Sequence, residues 1–447
     1  MTAAADDDGL LTLRIGPVAH GGHCVARHEG RVVFVRHTLP GELVRGRLTQ
    51  AGATDKFWRA DAVEVLEASP DRTAHFWPEA DAAAAYARGS LPVGGAEFGH
   101  ISLAAQRPLK AEVIAEQLHR LAGVDREILV EDAEDTEDIG ADAGTPGLGW
   151  RTRVAFGVTA DGRLGMHPHR SDQVLPVRQM PLAVAAVNEL RLWEADLSGV
   201  ERVDVAAPAN GSRPLVLLAA GQVPERRLAK IAAGIDEAAS VARRNPATGA
   251  VERLRGRAWV SETAAGREYR VSGEGFWQIH RNAPAVLTGA VLEYLSGHLH
   301  EGARVADLYA GAGLFTGPLS DAVGPSGSVL SVEGSPGTSR DARKNFHTSR
   351  QVEIVQGRVE RVLHGRSSRF DAVVLDPPRA GAGKAVVRQL IESAPRAIAY
   401  VSCDPASFAR DVGYFQAGGW KLAGLRGFDL YPHTHHVETV ALLTPAG

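Results

Sequence analysis

Cys403 is one of only two cysteines in this chain of 447 residues, and it stands in YVSCDPASFARD, residues 400–411. The apolar IAYV before Ser402 reads as a buried strand, and a helix opens near Ala406. Cys403 therefore falls on a loop at a strand's carboxyl end, where a side chain is placed to react. Backbone N–H groups of the opening helix favour a thiolate there. The other cysteine, Cys24 in GGHCVAR, fits the interior of a strand and reads as packing. A second loop of the same kind is LDPPRAG, with Asp376 after the apolar VVL.

A ligand site shares that end of the predicted sheet. DLYAGAGLF, residues 307–315, follows an apolar strand and opens a helix, and its glycines let backbone approach a ligand closely. At the end of the next strand, in LSVEGS, Glu333 can hold both hydroxyls of a ribose, and Asp307 is a further acceptor. The loop has neither the third glycine of dinucleotide binders nor a Walker lysine. It fits S-adenosylmethionine better than NAD or ATP. Beside a methyl donor, a thiolate has a specific use. Carbon 5 of a pyrimidine is a poor nucleophile, and thiolate addition at carbon 6 turns it into an enolate carbon that can take a methyl group. A base must then remove the carbon 5 proton so that the thiolate can leave. Glu438, in HHVETVALL, starts the last predicted strand and is the candidate base. Read alone, it fits a solvated strand end or an ion pair equally well. His433, His435 and His436 contact RNA or are structural, and their spacing is not that of a metal site.

The elements that must position these residues form three parts. Residues 9–67 read as short strands with turn signals, a small β-barrel carrying 8 Lys/Arg and 6 Asp/Glu. Residues 68–270 mix elements: an irregular stretch to about 98, an amphipathic helix over 103–123, an acidic loop over 128–147, strands, and a helix over PLAVAAVNELRLWEADL. From 271 to 447, apolar strands alternate with helices, which implies a mostly parallel sheet covered on both faces. The expected fold is thus an α/β Rossmann-like domain preceded by an OB-like barrel and a central α+β domain.

Composition narrows the setting. Hydrophobic residues are 44% and charged residues 23%, ordinary for a globular protein, and the net charge of -4 points to no partner by itself. The 43 Arg against 6 Lys suit phosphate contacts, although a GC-rich genome gives the same bias. Two cysteines cannot build a disulfide framework or a four-cysteine metal or cluster site. The N-terminal MTAAADDDGLL has no apolar core of signal-peptide length, and no stretch approaches the roughly 20 apolar residues of a membrane span. A cytoplasmic monomer without membrane contact is expected.

Together the motifs resemble the RNA uracil-5-methyltransferase family, which makes 5-methyluridine in tRNA and 23S ribosomal RNA, over nearly the whole chain. GGHCVARHEGRVVFVRHTLPGE resembles a TRAM domain, an RNA-binding barrel. GEGFWQIH resembles the family's Phe-Phe-Gln-Val-Asn segment, and DLYAGAGLF, VEGS, LDPPRAG and SCDPASFARD match the catalytic-domain motifs in order. The resemblance implies that Gln278, Tyr309, Glu333 and Asp376 bind S-adenosylmethionine, that Cys403 is the nucleophile and Glu438 the base. It also implies that the 103–123 helix packs back on the catalytic domain. RNA is the partner, with 23S rRNA favoured over tRNA because of the TRAM segment. Three positions depart from the pattern. His280 stands where the family has Asn, Asp404 replaces a frequent Asn, and Ala96 in PVGGAEFGH occupies a cysteine position of the iron–sulfur members. With no other cysteine nearby, no iron–sulfur cluster is expected. Two other readings remain: amino-group methylation of a base, which needs an aromatic where Arg379 follows Asp-Pro-Pro, and an RNA-binding factor with an inactive pocket.

Overall fold

The computed structural model describes residues 9–133, 145–364, 366 and 369–446. The N-terminal MTAAADDD and most of the acidic loop lie outside the described residues.

Six strands between Leu11 and Glu67 form one curled sheet. Alternation turns Leu11, Leu13, Val33, Val35, Val44 and Ala60 inward, where all are buried together with Cys24. Register shifts between Leu43–Gln50 and Phe57–Glu67 bend that long pair. The Gly16 N–H donates to the Val25 carbonyl at 2.7 Å and ties the first strand's exit to the third strand.

A seven-stranded sheet follows, from Arg153–Val158 to Val251–Arg255. Its core buries Trp77 and Trp150 completely, and Val93, Ala96 and Met180 pack among the same apolar residues. The segment resembling a cluster-binding loop is thus held by close packing. The helix expected over 181–197 is broken. Only Ala185–Asn188 is α-helical, and a short 3₁₀ turn covers Leu192–Glu194. Asn188 turns its side chain back to the Met180 backbone, accepting at 2.9 Å and donating at 3.1 Å, and Arg191 adopts a left-handed φ of 46°. Such local side-chain bonds compete with helix continuation.

The C-terminal sheet has eight strands. Val352–Gln356, Ser328–Glu333, Arg304–Leu308, Ala372–Leu375 and Ala397–Ser402 run parallel in that order across the sheet. Glu438–Pro445 then inserts antiparallel between Ala397–Ser402 and Trp420–Asp429. The eighth strand, Val130–Asp132, comes from the stretch expected to be loop and pairs parallel with the 420–429 edge. An open edge accepts any short extended segment that can complete its ladder, and acidic composition hid this one. Helix Leu103–Ala122 ends at a left-handed Gly123 and lies on helix Pro405–Ala417, where Gly413 leaves room for the Leu121 carbonyl. The hairpin Trp259–Ala264/Arg267–Ser272 lies against helix Pro336–Asn345, with Asp341 accepting from Ser272 N–H at 2.7 Å.

Candidate active site

The crevice forms at the carboxyl ends of the parallel strands, where a doubly wound sheet opens to ligands. The Tyr309–Gly313 loop turns there through three positive φ angles, at Tyr309 (65°), Gly311 (59°) and Gly313 (102°). Tyr309 carries a side chain in a conformation that disfavours one, strain of a kind that clusters at functional sites. Gly313 is fixed by packing, since an added Cβ would come within 2.2 Å of Phe346, whereas the space before Gly311 is open. The Glu333 carboxylate accepts from Gly311 N–H at 3.0 Å and from Ser335 N–H at 2.5 Å, so it is locked at the mouth of the loop. Asp307 sits elsewhere than expected. It is fully buried beneath the loop and accepts from the Thr316 hydroxyl at 2.5 Å, and burial raises its pKa to about 7.

Gln278 is buried, and the Asp376 carboxyl is shifted by burial and by the Glu438 and Asp307 charges, with no hydrogen bond among the causes. A buried carboxyl in this setting fits a ligand that supplies donors and charge. His280, two residues on, faces away from solvent. It stacks on Trp150 with ring centroids 5.5 Å apart, accepts from Asn282 N–H at 3.1 Å, and is held neutral by burial, its pKa near 3. These contacts tie the Gln278 segment to the core around Trp150.

Cys403 lies half-buried one residue past the strand Ala397–Ser402, and Glu438 is buried at the start of the neighbouring antiparallel strand. The structure brings these two together with Asp376. Burial drives the Cys403 thiol up to about 12, and the Glu438 and Asp376 carboxylates add to the effect. This corrects the expectation of a thiolate favoured by the helix end. The first turn of helix Pro405–Ala417 is already capped, because Asp404 accepts from Ser407 N–H at 2.8 Å, and two carboxylates outweigh the partial positive charge. Burial likewise lifts Glu438 to about 7 against the opposing pull of Tyr431 and Arg379, and lifts Asp376 well above the usual carboxylate range. Burial thus favours the neutral form of all three acids, a penalty that a cation bound in the crevice would offset.

The residues that aim Glu438 carried no motif. The Tyr431 hydroxyl donates to Glu438 Oε2 at 2.9 Å. Lys110, buried on helix Leu103–Ala122, donates to Asp429 at 2.5 Å and to the Tyr431 carbonyl at 3.0 Å. Gln106 on the same helix face accepts from His433 N–H at 2.7 Å. A polar Lys and Gln four residues apart on an otherwise apolar helix face were the available signal. His433 is thereby structural, while His435 and His436 line the cavity beside Cys403.

Comparison with known proteins follows the same lines. Residues 356–446 match the family model described as tRNA (Uracil-5-)-methyltransferase, residues 11–63 match the TRAM domain, and residues 278–392 match protein-L-isoaspartate(D-aspartate) O-methyltransferase. An uncharacterized RNA methyltransferase of Streptomyces avermitilis is 46% identical, over 97% of this chain and 98% of its own length. The 23S rRNA (uracil(1939)-C(5))-methyltransferase of Edwardsiella ictaluri is 29% identical, over 95% and 93% respectively. The crystal structure of Pyrococcus abyssi tRNA (uracil-54, C5)-methyltransferase with S-adenosyl-L-homocysteine shares the fold, with a TM-score of 0.69 at 20% identity, over 97% of this chain and 100% of that one. The chain belongs to the RNA methyltransferase family, of the uracil-5 type, and carries a TRAM domain.

Proposed function

We propose that this family member methylates carbon 5 of a uridine in 23S ribosomal RNA, with S-adenosylmethionine as donor and Cys403 as the covalent nucleophile. The observation that carries the reading is the cluster of Cys403, Asp376 and Glu438 at one end of three adjacent central strands, where burial raises the pKa of all three and the Glu438 charge raises that of Cys403 and Asp376 further. When bound, S-adenosylmethionine supplies an electrophilic methyl group on a positively charged sulfur. Gln278, Tyr309, Glu333 and Asp376 hold it: Glu333 at the ribose hydroxyls, Asp376 and Gln278 through their carboxyl and amide groups. A cation in the crevice lowers the cost of ionising the acids around it, so donor binding prepares the thiol for attack.

The target uridine must leave its stack to enter. Cys403 gives up its proton to solvent, its Sγ bonds to carbon 6, and the electron pair of the 5,6 double bond moves to carbon 5. Carbon 5 takes the methyl group and still carries its hydrogen. Glu438, buried and held by Tyr431, removes that proton. The electron pair of the C–H bond reforms the 5,6 double bond and expels the Cys403 thiolate. A base with a pKa near 7 suits this step, because a large fraction of it is ionised at neutral pH and it is still strong enough to act. Residues 9–67 and 68–270 hold structured RNA through their arginines, and residues 271–447 perform the chemistry.

The test incubates the protein with methyl-labelled S-adenosylmethionine and, separately, unmodified 23S rRNA and tRNA, followed by nucleoside mass spectrometry. Labelled 5-methyluridine in 23S rRNA, absent with Cys403→Ala, is the expected result. Product in the tRNA pool would move the substrate to tRNA. Label in an amino-methylated base, or full activity of Cys403→Ala, would overturn the mechanism.

A further inference from the structure

The barrel is expected to act as an RNA handle, yet one of its turns reaches the nucleophile. Strands Val18–Ala19 and His23–His28 are joined by His20, Gly21 and Gly22, both glycines at positive φ. This tip crosses to the catalytic domain. His20 Nε2 lies 3.0 Å from Asp404 Oδ2, a contact spanning 384 positions in sequence, and Asp404 is both the neighbour of Cys403 and the cap of the following helix. Gly22 fits against the other side of the same crevice, where an added Cβ would come within 2.8 Å of the His435 side chain. The tip, Cys403, Arg379 and His436 line one cavity of about 110 Å³. That is less than the roughly 150 Å³ of an apolar cavity that holds benzene. The space beside the thiol is therefore too tight for a pyrimidine as it stands, and a base enters only if the turn gives way.

We propose that the His20–Gly22 turn is a wall of the base pocket, which opens to admit the extruded pyrimidine and closes over it when His20 clasps Asp404. His20 is a positioning residue: it touches the Cys403 loop through Asp404 and holds the base and thiol together during attack. The barrel thus acts on the chemical step in addition to RNA capture. The inference deepens the proposed function and rests on it for the identity of the base. The wall itself is a property of the protein alone.

Two measurements test it on the full chain. The first reads alkylation of Cys403 by iodoacetamide, resolved from Cys24 by peptide mass spectrometry, in wild type, His20→Ala and His20→Gln. Both variants remove the imidazole beside the Cys403 loop, but glutamine retains a donor for Asp404. The clasp is a partly exposed pair, so its loss should raise Cys403 alkylation in His20→Ala about 2- to 5-fold over His20→Gln. Equal rates in the two variants would overturn the wall. The second reads single-turnover methylation and RNA affinity together. His20→Ala should slow methylation about 2- to 5-fold with RNA affinity unchanged, and His20→Gln should restore most of the rate. A loss of affinity that accounts for the whole loss of rate would overturn the positioning role. Wild-type protein that methylates no RNA would refute the proposed function, while the alkylation comparison would still decide whether the barrel covers the thiol.

Discussion

Replacing Glu438 by glutamine should make the protein more stable and its reaction incomplete. The carboxyl is fully buried and its pKa rises from 4.5 to about 7 on folding. The sign follows from proton linkage. Below pH 4.5 both folded and unfolded chains hold the proton and folding incurs no penalty. Above 4.5 the unfolded chain releases it first, and stability is lost as pH rises until the folded carboxyl also ionises near 7. At about 1.4 kcal/mol for each pH unit, the penalty is about 1 kcal/mol at pH 5 and about 3 kcal/mol at pH 8. Glutamine never ionises and keeps an oxygen for the Tyr431 hydroxyl. Glu438→Gln should therefore melt higher than wild type by about 3–4 °C at pH 8, with most of that gain gone at pH 5. Thermal melting followed at both pH values gives the difference directly. The same variant should still add Cys403 to the base and accept the methyl group, but it cannot remove the carbon 5 proton. A methyl-labelled protein–RNA adduct should then accumulate on a denaturing gel. A melting difference independent of pH would refute the burial argument, and turnover at the wild-type rate would refute the assignment of Glu438 as base.

Three other substitutions probe how the site is held. Tyr431→Phe removes the hydrogen bond that lowers the Glu438 pKa, so the rising limb of the pH–rate profile should move to higher pH, read as kcat between pH 6 and 9. Lys110→Met leaves Asp429 buried without its partner and should destabilise the fold by about 3–5 kcal/mol, seen as an early transition in urea; Lys110→Met combined with Asp429→Leu should recover much of it. Gly313→Ala forces a Cβ into Phe346 at a φ of 102°, so it should weaken binding of S-adenosylmethionine at least tenfold in calorimetry, whereas Gly289→Ala on an open helix face should leave it unchanged.

The candidate residues Asp376 and Cys403 drew notice in the sequence because they stand at strand ends. A parallel strand buried on both faces has to be apolar, so the first polar residues after AVVL and AIAYVS mark the crevice by their position in the chain alone. The barrel and the 103–122 helix were legible for a similar reason, through alternation in one and a glycine stop in the other. What composition hid was context. Val130–Asp132 looks like acidic loop, and it becomes a strand only because the 420–429 edge is open to pair with it. The 181–197 stretch has helical content throughout, and Asn188 ends the helix by bonding backwards, a choice no periodicity reports. The same limit applies to the thiol. Its place at a helix start suggested a low pKa, but burial raises it, and Glu438 and Asp376, which lie 35 and 27 positions away in sequence, add to the rise. His20 lies farther still, in a turn whose glycines read simply as a hairpin. Local sequence thus identifies which groups can react, and the charge each one carries is decided by whichever strands the topology sets beside it.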